Sequence, residues 1–321
     1  MKKKILSLAL VAVMALGLCA CGSAESGSAN KTYTVGICQL VQHVALDAAT
    51  QGFQDALTEK LGDKVKFDLQ NAAGDSATCA TIANQFVSSN VDLIMANATA
   101  PLQAAAAATN EIPILGTSVT DYATALEIDN WNGTTGTNIS GTSDLAPLSE
   151  QANIITELFP DAAVVGLLYC SAEPNSEYQA DEMEKFLTGK YDVKRYTFAD
   201  SNDIASVVTS AVSECDVLYV PTDNTAAANT EVINNVALPA GVPIVAGEEG
   251  ICAGCGVATL SISYYDLGYA TGEMAYEVLV NGADVSTLAV AYAPNVTKEY
   301  NAANCEALGI TVPDDYVAIG E

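Results

Sequence analysis

One grammar of short apolar runs and helix-period segments is written twice in this chain, and the repetition constrains its fold more than any other feature. Val35-Gly36-Ile37 returns as Val165-Gly166-Leu167, Asp92-Leu93-Ile94 as Asp216-Val217-Leu218, and Pro113-Ile114 as Pro243-Ile244. The three offsets are 130, 124 and 130 residues, in the same order along the chain. In the first series the pattern predicts strands at Tyr33–Cys38, Val65–Leu69, Asp92–Ala96 and Ile112–Gly116. Helices are expected between them at 44–60, 76–89 and 101–109, the first with Leu46, Ala49, Phe53, Ala56 and Leu57 on one face. In the second series, helices over 145–158, 175–189, 203–213 and 225–238 alternate with strands Ala163–Tyr169, Val193–Phe198, Val217–Val220 and Val242–Ala246. Repeated βα units imply parallel sheets covered by helices on both faces. The expected class is therefore α/β, with two doubly wound parallel-sheet lobes.

The tail breaks the tandem. A strand over Gly256–Ser263, a helix over 264–281 and a strand over Ala289–Ala293 form one further βαβ unit. That unit is most simply placed if the chain crosses back to the first lobe. This predicts a three-strand hinge near 138–144, 253–260 and 287–297. The lobes are then 32–140 plus 257–287 (N-terminal) and 141–256 plus 288–321 (C-terminal). Ligands of open α/β sheets bind beyond the carboxyl ends of the strands, so two facing lobes share one cleft.

The chain opens with Lys2, Lys3 and Lys4, followed by an uncharged apolar run from Ile5 to Leu18. That run is short for a membrane span, which takes about 20 apolar residues, and matches the core of a signal peptide. Leu18-Cys19-Ala20-Cys21 resembles the bacterial lipobox. We expect a signal peptide over 1–20, lipidation at Cys21 and a flexible tether over 21–31, rich in small polar residues. The protein is then held by lipid on the extracytoplasmic face of the membrane. Of 12 basic residues, three leave with the signal, whereas all 39 acidic residues lie after it, moving the formal charge from −27 to −30. Such a field repels nucleic acid and anionic lipid, and excludes nucleic-acid binding.

Seven cysteines follow Cys21, an odd number. Cys38, Cys79, Cys170 and Cys215 stand among apolar or small residues and are expected to pack as small hydrophobes. Cys252-Ala-Gly-Cys255 has the spacing of redox and zinc sites. With a single histidine and no second such pair, a zinc ligand set cannot be completed. A local disulfide or two free thiols is expected there, and no metal or cofactor is expected in the protein.

The strand-end loops of the predicted cleft are polar throughout. The first lobe offers Gln39, His43, Thr99, Ser118, Thr120 and Asp121. The second offers Tyr169, Ser171, Asn175, Ser176, Asp223, Asn224 and Glu248. Hydroxyls and free backbone N–H groups at a helix start suit an anion such as a carboxylate, and a buried acid opposite suits an ammonium group. Each of Thr99, Ser171, Asn175 and Asp223 also reads as a plain helix N-cap.

A family resemblance runs through nearly all of the chain after residue 31. It is carried by Leu46-Asp47-Ala48-Ala49 with Gly52-Phe53, Thr99-Ala100-Pro101, Val119-Thr120-Asp121 and Gly141-Thr142-Ser143-Asp144. It continues in Tyr169 with Glu173-Pro174-Asn175-Ser176, Pro221-Thr222-Asp223-Asn224, and Ala258-Thr259-Leu260-Ser261 leading into Tyr264-Tyr265-Asp266-Leu267-Gly268. These stretches resemble the ABC-transporter substrate-binding lipoproteins associated with tryptophan and tyrosine uptake, which have the type I periplasmic-binding-protein fold. The resemblance implies an amino acid, aromatic in that family, as ligand. It further implies Ser/Thr hydroxyls and helix-start amides on the carboxylate, and Asp121, Asp223 or Glu248 on the ammonium. Tyr169, Tyr122 or Trp131 would flank the side chain. The sequence departs from the family at Gln42-His43-Val44, at Tyr122 after Asp121, and at Pro174.

Implied partners are a small-molecule ligand, an ABC permease with its ATPase, and the membrane through the N-terminal lipid. No P-loop occurs, so ATP hydrolysis belongs to another chain. An enzyme is not expected: a Ser-His-Asp hydrolase would depend on His43 alone, and no G-x-S-x-G elbow is present. A sugar or nucleoside binder of the same fold, or a ligand-sensing lipoprotein, is the alternative.

Overall fold

The computed structural model describes residues 31–293 and 295–320; the expected signal peptide, Cys21 and the expected tether up to residue 30 lie outside the described residues. The first lobe is built on β1 (Tyr33–Gln39), β2 (Val65–Asn71), β3 (Leu93–Asn97), β4 (Ile114–Val119) and β5 (Ile139–Ser143). Its helices are α1 (Val44–Leu61), α2 (Ser76–Ser88), α3 (Thr99–Ala108) and the short α4 (Tyr122–Ala125). The second lobe carries β6 (Val164–Cys170), β7 (Asp192–Phe198), β8 (Val217–Val220), β9 (Ile244–Ala246) and β10 (Ala258–Ser261). Around them lie α5 (Leu148–Leu158), α6 (Pro174–Leu187), α7 (Ile204–Val212), α8 (Asn224–Ala227), α9 (Thr230–Ala240) and α10 (Glu249–Cys255). The chain ends with α11 (Tyr264–Leu279), β11 (Ala291–Tyr292), β12 (Thr297–Tyr300), α12 (Ala302–Leu308) and β13 (Val317–Ala318). The sheet orders are β11-β5-β4-β3-β1-β2 and β13-β12-β10-β9-β8-β6-β7. Both are parallel except that β12 runs antiparallel to β10.

The three duplicated sequence landmarks do the same work in both lobes. Asp92 accepts the backbone N–H of Thr34 at 2.8 Å, and Asp216 accepts those of Ala163 and Val164 at 2.8 and 2.9 Å. Each carboxylate thus ties the start of its lobe's third strand to the start of the first. Ile94 donates to Pro113 O, and Leu218 to Pro243 O, both at 2.9 Å. A Cβ on Gly36 would stand 2.6 Å from the Phe86 ring, and one on Gly166 would stand 2.6 Å from Leu218 and 2.8 Å from Cys215. Only glycine lets those side chains rest on the strand.

The tail crosses at different points from those expected. The strand Ala258–Ser261, assigned from sequence to the N-terminal lobe, pairs with β9 in the second sheet. The strand at 291–292, assigned to the C-terminal lobe, pairs with β5 in the first. The interlobe connections therefore fall at 144–147, at 262–263 and between β11 and β12, the last within its expected span of 287–297 and the other two just beyond the ends of theirs. The physical reason is that Ala258 and Leu260 are buried in the second lobe's core, whereas Ala275 and Val278 of α11 pack in the first. The crossing follows the strand rather than preceding it.

Helix α11 seats on α1 with the two backbones nearly touching. A Cβ on Gly268 would lie 1.9 Å from the carbonyl oxygen of Ala49, and one on Gly52 would lie 2.1 Å from that of Tyr265. Exposed flanks add Tyr265–Asp55 and Tyr269–Glu59 hydrogen bonds at 3.0 and 2.8 Å. All seven cysteines from Cys38 to Cys305 are free and buried. Cys252 and Cys255 lie one turn apart inside α10, so of the two forms expected there, the structure shows free thiols. No described helix is long and apolar enough to cross a membrane.

Candidate functional site

The carboxyl ends of both sheets face one interlobe cleft. Its outer part is a cavity of 380 Å³ lined by Leu40, Val41 and Gln103 from the first lobe and Cys170, Glu173 and Asn175 from the second. Much of the expected polar set proves to be engaged in building the loops. Gln39 donates to Val41 O at 2.9 Å and to Asp47 at 2.6 Å, and accepts from Thr50 at 2.7 Å. Both ends of its amide are therefore occupied in fastening β1 to α1. Asp121 caps α4 through Thr124 N at 2.7 Å. Asp223 caps α8 through Ala226 N at 2.7 Å and accepts Cys170 N at 2.6 Å. Ser171 is exposed, and its hydroxyl donates to Phe198 O at 3.3 Å. Asn175 donates to Thr222 O at 3.1 Å and to the buried Ser176 at 3.2 Å. The cap alternative thus holds for Asp223, and the same duty falls to Asp121.

The expected aromatic flank is a correction. Tyr169 is buried in the core of the second lobe, with its hydroxyl accepting from Arg195 at 3.3 Å. Tyr122 is buried in the first lobe's core, stacks on Trp131 at 6.5 Å and donates to Thr142 O at 3.1 Å. Strand alternation explains Tyr169: it shares its face with Val165 and Leu167, which point into that same core.

Two groups on the cleft faces remain chemically available. On the first lobe, Ser118 is 6% exposed, and its hydroxyl has no partner. It sits at φ 54°, where the β4–β5 register shifts between Gly116 and Val119. Beside it, Ala98 at φ 99° leads into the start of α3 at the buried Thr99, and its N–H bonds Thr117 O at 3.0 Å. Two non-glycine residues in left-handed backbone at adjacent strand ends mark stored strain of the kind found at ligand clamps. An orphan buried hydroxyl beside a helix N-terminus can receive an anion.

On the opposite side are buried carboxyls with no basic partner among the described residues. Glu248, 2% exposed, accepts Gly250 N at 2.7 Å and Ile251 N at 2.5 Å. Burial pushes its carboxyl up to about 7, against the pull of those two N–H donors and with a smaller push from Glu249 and Asp144. Asp144, 4% exposed, stands in the first hinge connection and accepts from Thr120 at 3.0 Å and Tyr264 at 2.9 Å. Burial raises it as well. Asp223 is likewise pushed to about 7, by burial first and then by Glu173. Buried acids left this way demand a cation.

Asp144, Tyr264 and Glu173 were not among the residues chosen from sequence. Asp144 could have been found as the acid that ends the hydroxyl run Thr142-Ser143 where the chain leaves β5. Glu173 accepts Asn224 N, Asn224 Nδ2, Thr225 N and Thr225 Oγ1 at 2.7 to 3.0 Å, a role no local pattern displays. His43 and Asn224, expected to meet ligand separately, meet each other at 3.2 Å.

Two parallel-sheet α/β lobes, crossed three times by the chain and facing each other over a polar cleft, define a hinged solute-binding protein of the type I periplasmic-binding-protein fold. Residues 34–319 match the family described as ABC transporter substrate binding protein, and the chain belongs to that family. Its members are extracytoplasmic solute-binding proteins rather than enzymes. A tyrosine-binding protein of Clostridioides difficile (strain R20291) is 37% identical over 291 residues, covering 86% of this chain and 84% of that protein. A Streptococcus pneumoniae ABC domain in complex with L-Trp superposes with TM-score 0.84 at 32% identity, covering 88% of this chain and 97% of the other. The ligand-free, open structure of a Clostridium difficile substrate-binding protein with adhesive properties gives only 0.69 at 35% identity, over 90% and 99% of the chains. The fit is thus better to the ligand-bound relative than to the ligand-free, open one.

Proposed function

We propose that this protein is the lipid-anchored receptor of an ABC importer for an aromatic L-amino acid, held between the lobes and handed to a membrane permease. The observation that carries the reading is the unpartnered, nine-tenths-buried hydroxyl of Ser118, set in strained backbone beside the start of α3. That corner receives the ligand carboxylate. Glu248, backed by Asp144, receives the ammonium group, which is the cation partner that neither acid has among the described residues. The tyrosine and L-Trp ligands of the relatives support an aromatic side chain. It would rest in the outer cavity of 380 Å³, within the usual range for small-molecule sites. The lipobox at Cys21 supports anchoring, and anchoring keeps the closing receptor within reach of its permease.

Calorimetry on the chain from residue 22 with L-tyrosine, L-tryptophan, L-leucine, a nucleoside and a monosaccharide tests the reading. An aromatic amino acid is expected to bind with micromolar or tighter Kd. Binding of the sugar or nucleoside alone would replace the proposal. Ser118→Ala is expected to weaken the amino acid about tenfold, the net worth of a hydrogen bond to a charged group. The same substitution should leave the thermal midpoint of the ligand-free protein nearly unchanged, because the hydroxyl has no partner to lose. A matching drop in stability would show that Ser118 is structural.

A further inference from the structure

The loops that meet at the lip of the cleft carry a contact that serves neither local structure nor the proposed ligand. His43 is the N-cap residue of α1, in extended backbone at φ −159°, and its side chain makes no capping bond. Instead, its Nε2 reaches across to the Oδ1 of Asn224, the first residue of α8, at 3.2 Å. The orientation of that amide is held from behind. Asn224 Nδ2 donates to Glu173 Oε2 at 2.8 Å, and the backbone N–H of Asn224 donates to the same oxygen at 3.0 Å. The other carboxylate oxygen is held by Thr225 N and Oγ1 at 2.8 and 2.7 Å. Turning the amide over would set Oδ1 against a carboxylate, so Oδ1 is the atom presented to the first lobe. Oδ1 can only accept, and His43 Nε2 therefore carries the hydrogen.

From these contacts we infer that His43 and Asn224 form a latch across the cleft, making His43 a positioning residue for the closed state that acts through Asn224 and Glu173. The second-lobe half of the latch is assembled entirely within its own lobe, from α6 and α8, and exists whether or not the lobes meet. Closure brings only the imidazole into place. Beside the pair lies a cavity of 350 Å³ lined on the second lobe by the small residues Ala227, Ala228, Gly250, Ala253 and Gly254, with Thr230 the one polar side chain of that lining. Asn224 is 9% exposed, and a hydrogen bond so sheltered from water is worth more than one at the surface. A bond made only on closure slows opening, and opening must precede release of ligand. It does not help the ligand enter.

The test uses the chain from residue 22 with L-tyrosine as probe, and for its ligand it rests on the function proposed above. His43→Ala is expected to speed L-tyrosine dissociation about fivefold while association stays within twofold. Asn224→Ala should do the same, and the double variant should be no faster than either single. His43→Gln, whose amide can donate to Oδ1, should recover most of the lost residence time, which a general loss of structure would not allow. Slower association with unchanged dissociation, or additive effects in the double variant, would make His43 a ligand contact and overturn the latch. If the unaltered chain binds no L-tyrosine, the proposed ligand fails, and the latch is read without it. Distances between spin labels on the two lobes of the ligand-free chain should then shift towards the open form in His43→Ala and stay put in His43→Gln. Identical distances in all three would refute it.

Discussion

Gly268→Ala is expected to destabilise the protein by about 3 kcal/mol or more, lowering Tm by roughly 6–10 °C for a chain of this size. The added Cβ would stand 1.9 Å from the carbonyl oxygen of Ala49 and 2.6 Å from its carbon. Those are backbone atoms in the middle of α1, so no rotamer change relieves the clash, and trimming Ala49 to glycine would not help. The helices must separate, and with them goes the close packing that seats the hinge-borne α11 on the first lobe. Gly189→Ala provides the contrast. Gly189 has φ 93° and nothing within 4 Å of its missing Cβ, so only backbone strain of about 1 kcal/mol is expected. Differential scanning calorimetry of both variants measures this directly. A Gly268→Ala midpoint within 2 °C of the parent would mean that α1 and α11 are not packed as described.

Replacing Glu248 by glutamine should weaken an amino-acid ligand roughly a hundredfold or more, the usual cost of removing one member of a buried charge pair. The pH dependence is the sharper test. Burial holds the Glu248 carboxyl at about 7 in the ligand-free chain, well above an unfolded glutamate. The folded state thus binds a proton more tightly than the unfolded one. Its contribution to stability is present at low pH and is lost as pH rises towards 7. A ligand ammonium needs the ionised form, so binding displaces that proton. Affinity should climb about tenfold per pH unit below 7 and level off above it. In Glu248→Gln the climb should flatten. Asp223 and Glu299, also pushed to about 7, remain in the variant and keep part of the ligand-free stability slope. His43 acts in the opposite sense, since burial lowers it and its contribution to stability is lost at acid pH. A pH profile of binding that is equally steep in the glutamine variant would remove Glu248 from the ammonium site.

How far the site could be read from sequence follows from the range of the interactions that make it. Gln39, Thr99, Ser118, Thr120 and Glu248 stand at strand ends, and a strand end is announced by local apolar patterning. Their position at strand ends was therefore legible, whereas their partners were not. Gln39 is saturated by Asp47 and Thr50, eight and eleven residues away on a helix face. Ser118 is left unpartnered, and sequence shows no difference between the two. Tyr169 was misplaced for a simpler reason. The period-2 alternation of β6 decides its face, and a strand buried on both sides carries no hydrophobic signal of which face is inward.

The sequence by itself determined the duplication, the α/β class and the order of the repeated βα units. Periodicity and each of the paired Gly, Asp and Pro landmarks are encoded within a few neighbouring residues. Only the tertiary structure decided where the chain crosses between lobes, because α11 leaves β10 behind to bury Ala275 and Val278 against α1 and the first sheet. It alone decided that Asp121, Asp223 and Glu248 cap helices, and that Asp223, Glu248 and Asp144 lie buried with no base beside them among the described residues. It also set His43 against Asn224, 181 positions further along the chain. A carboxylate's task is fixed by what surrounds it in space, and burial across a hinge is a property of two lobes brought together.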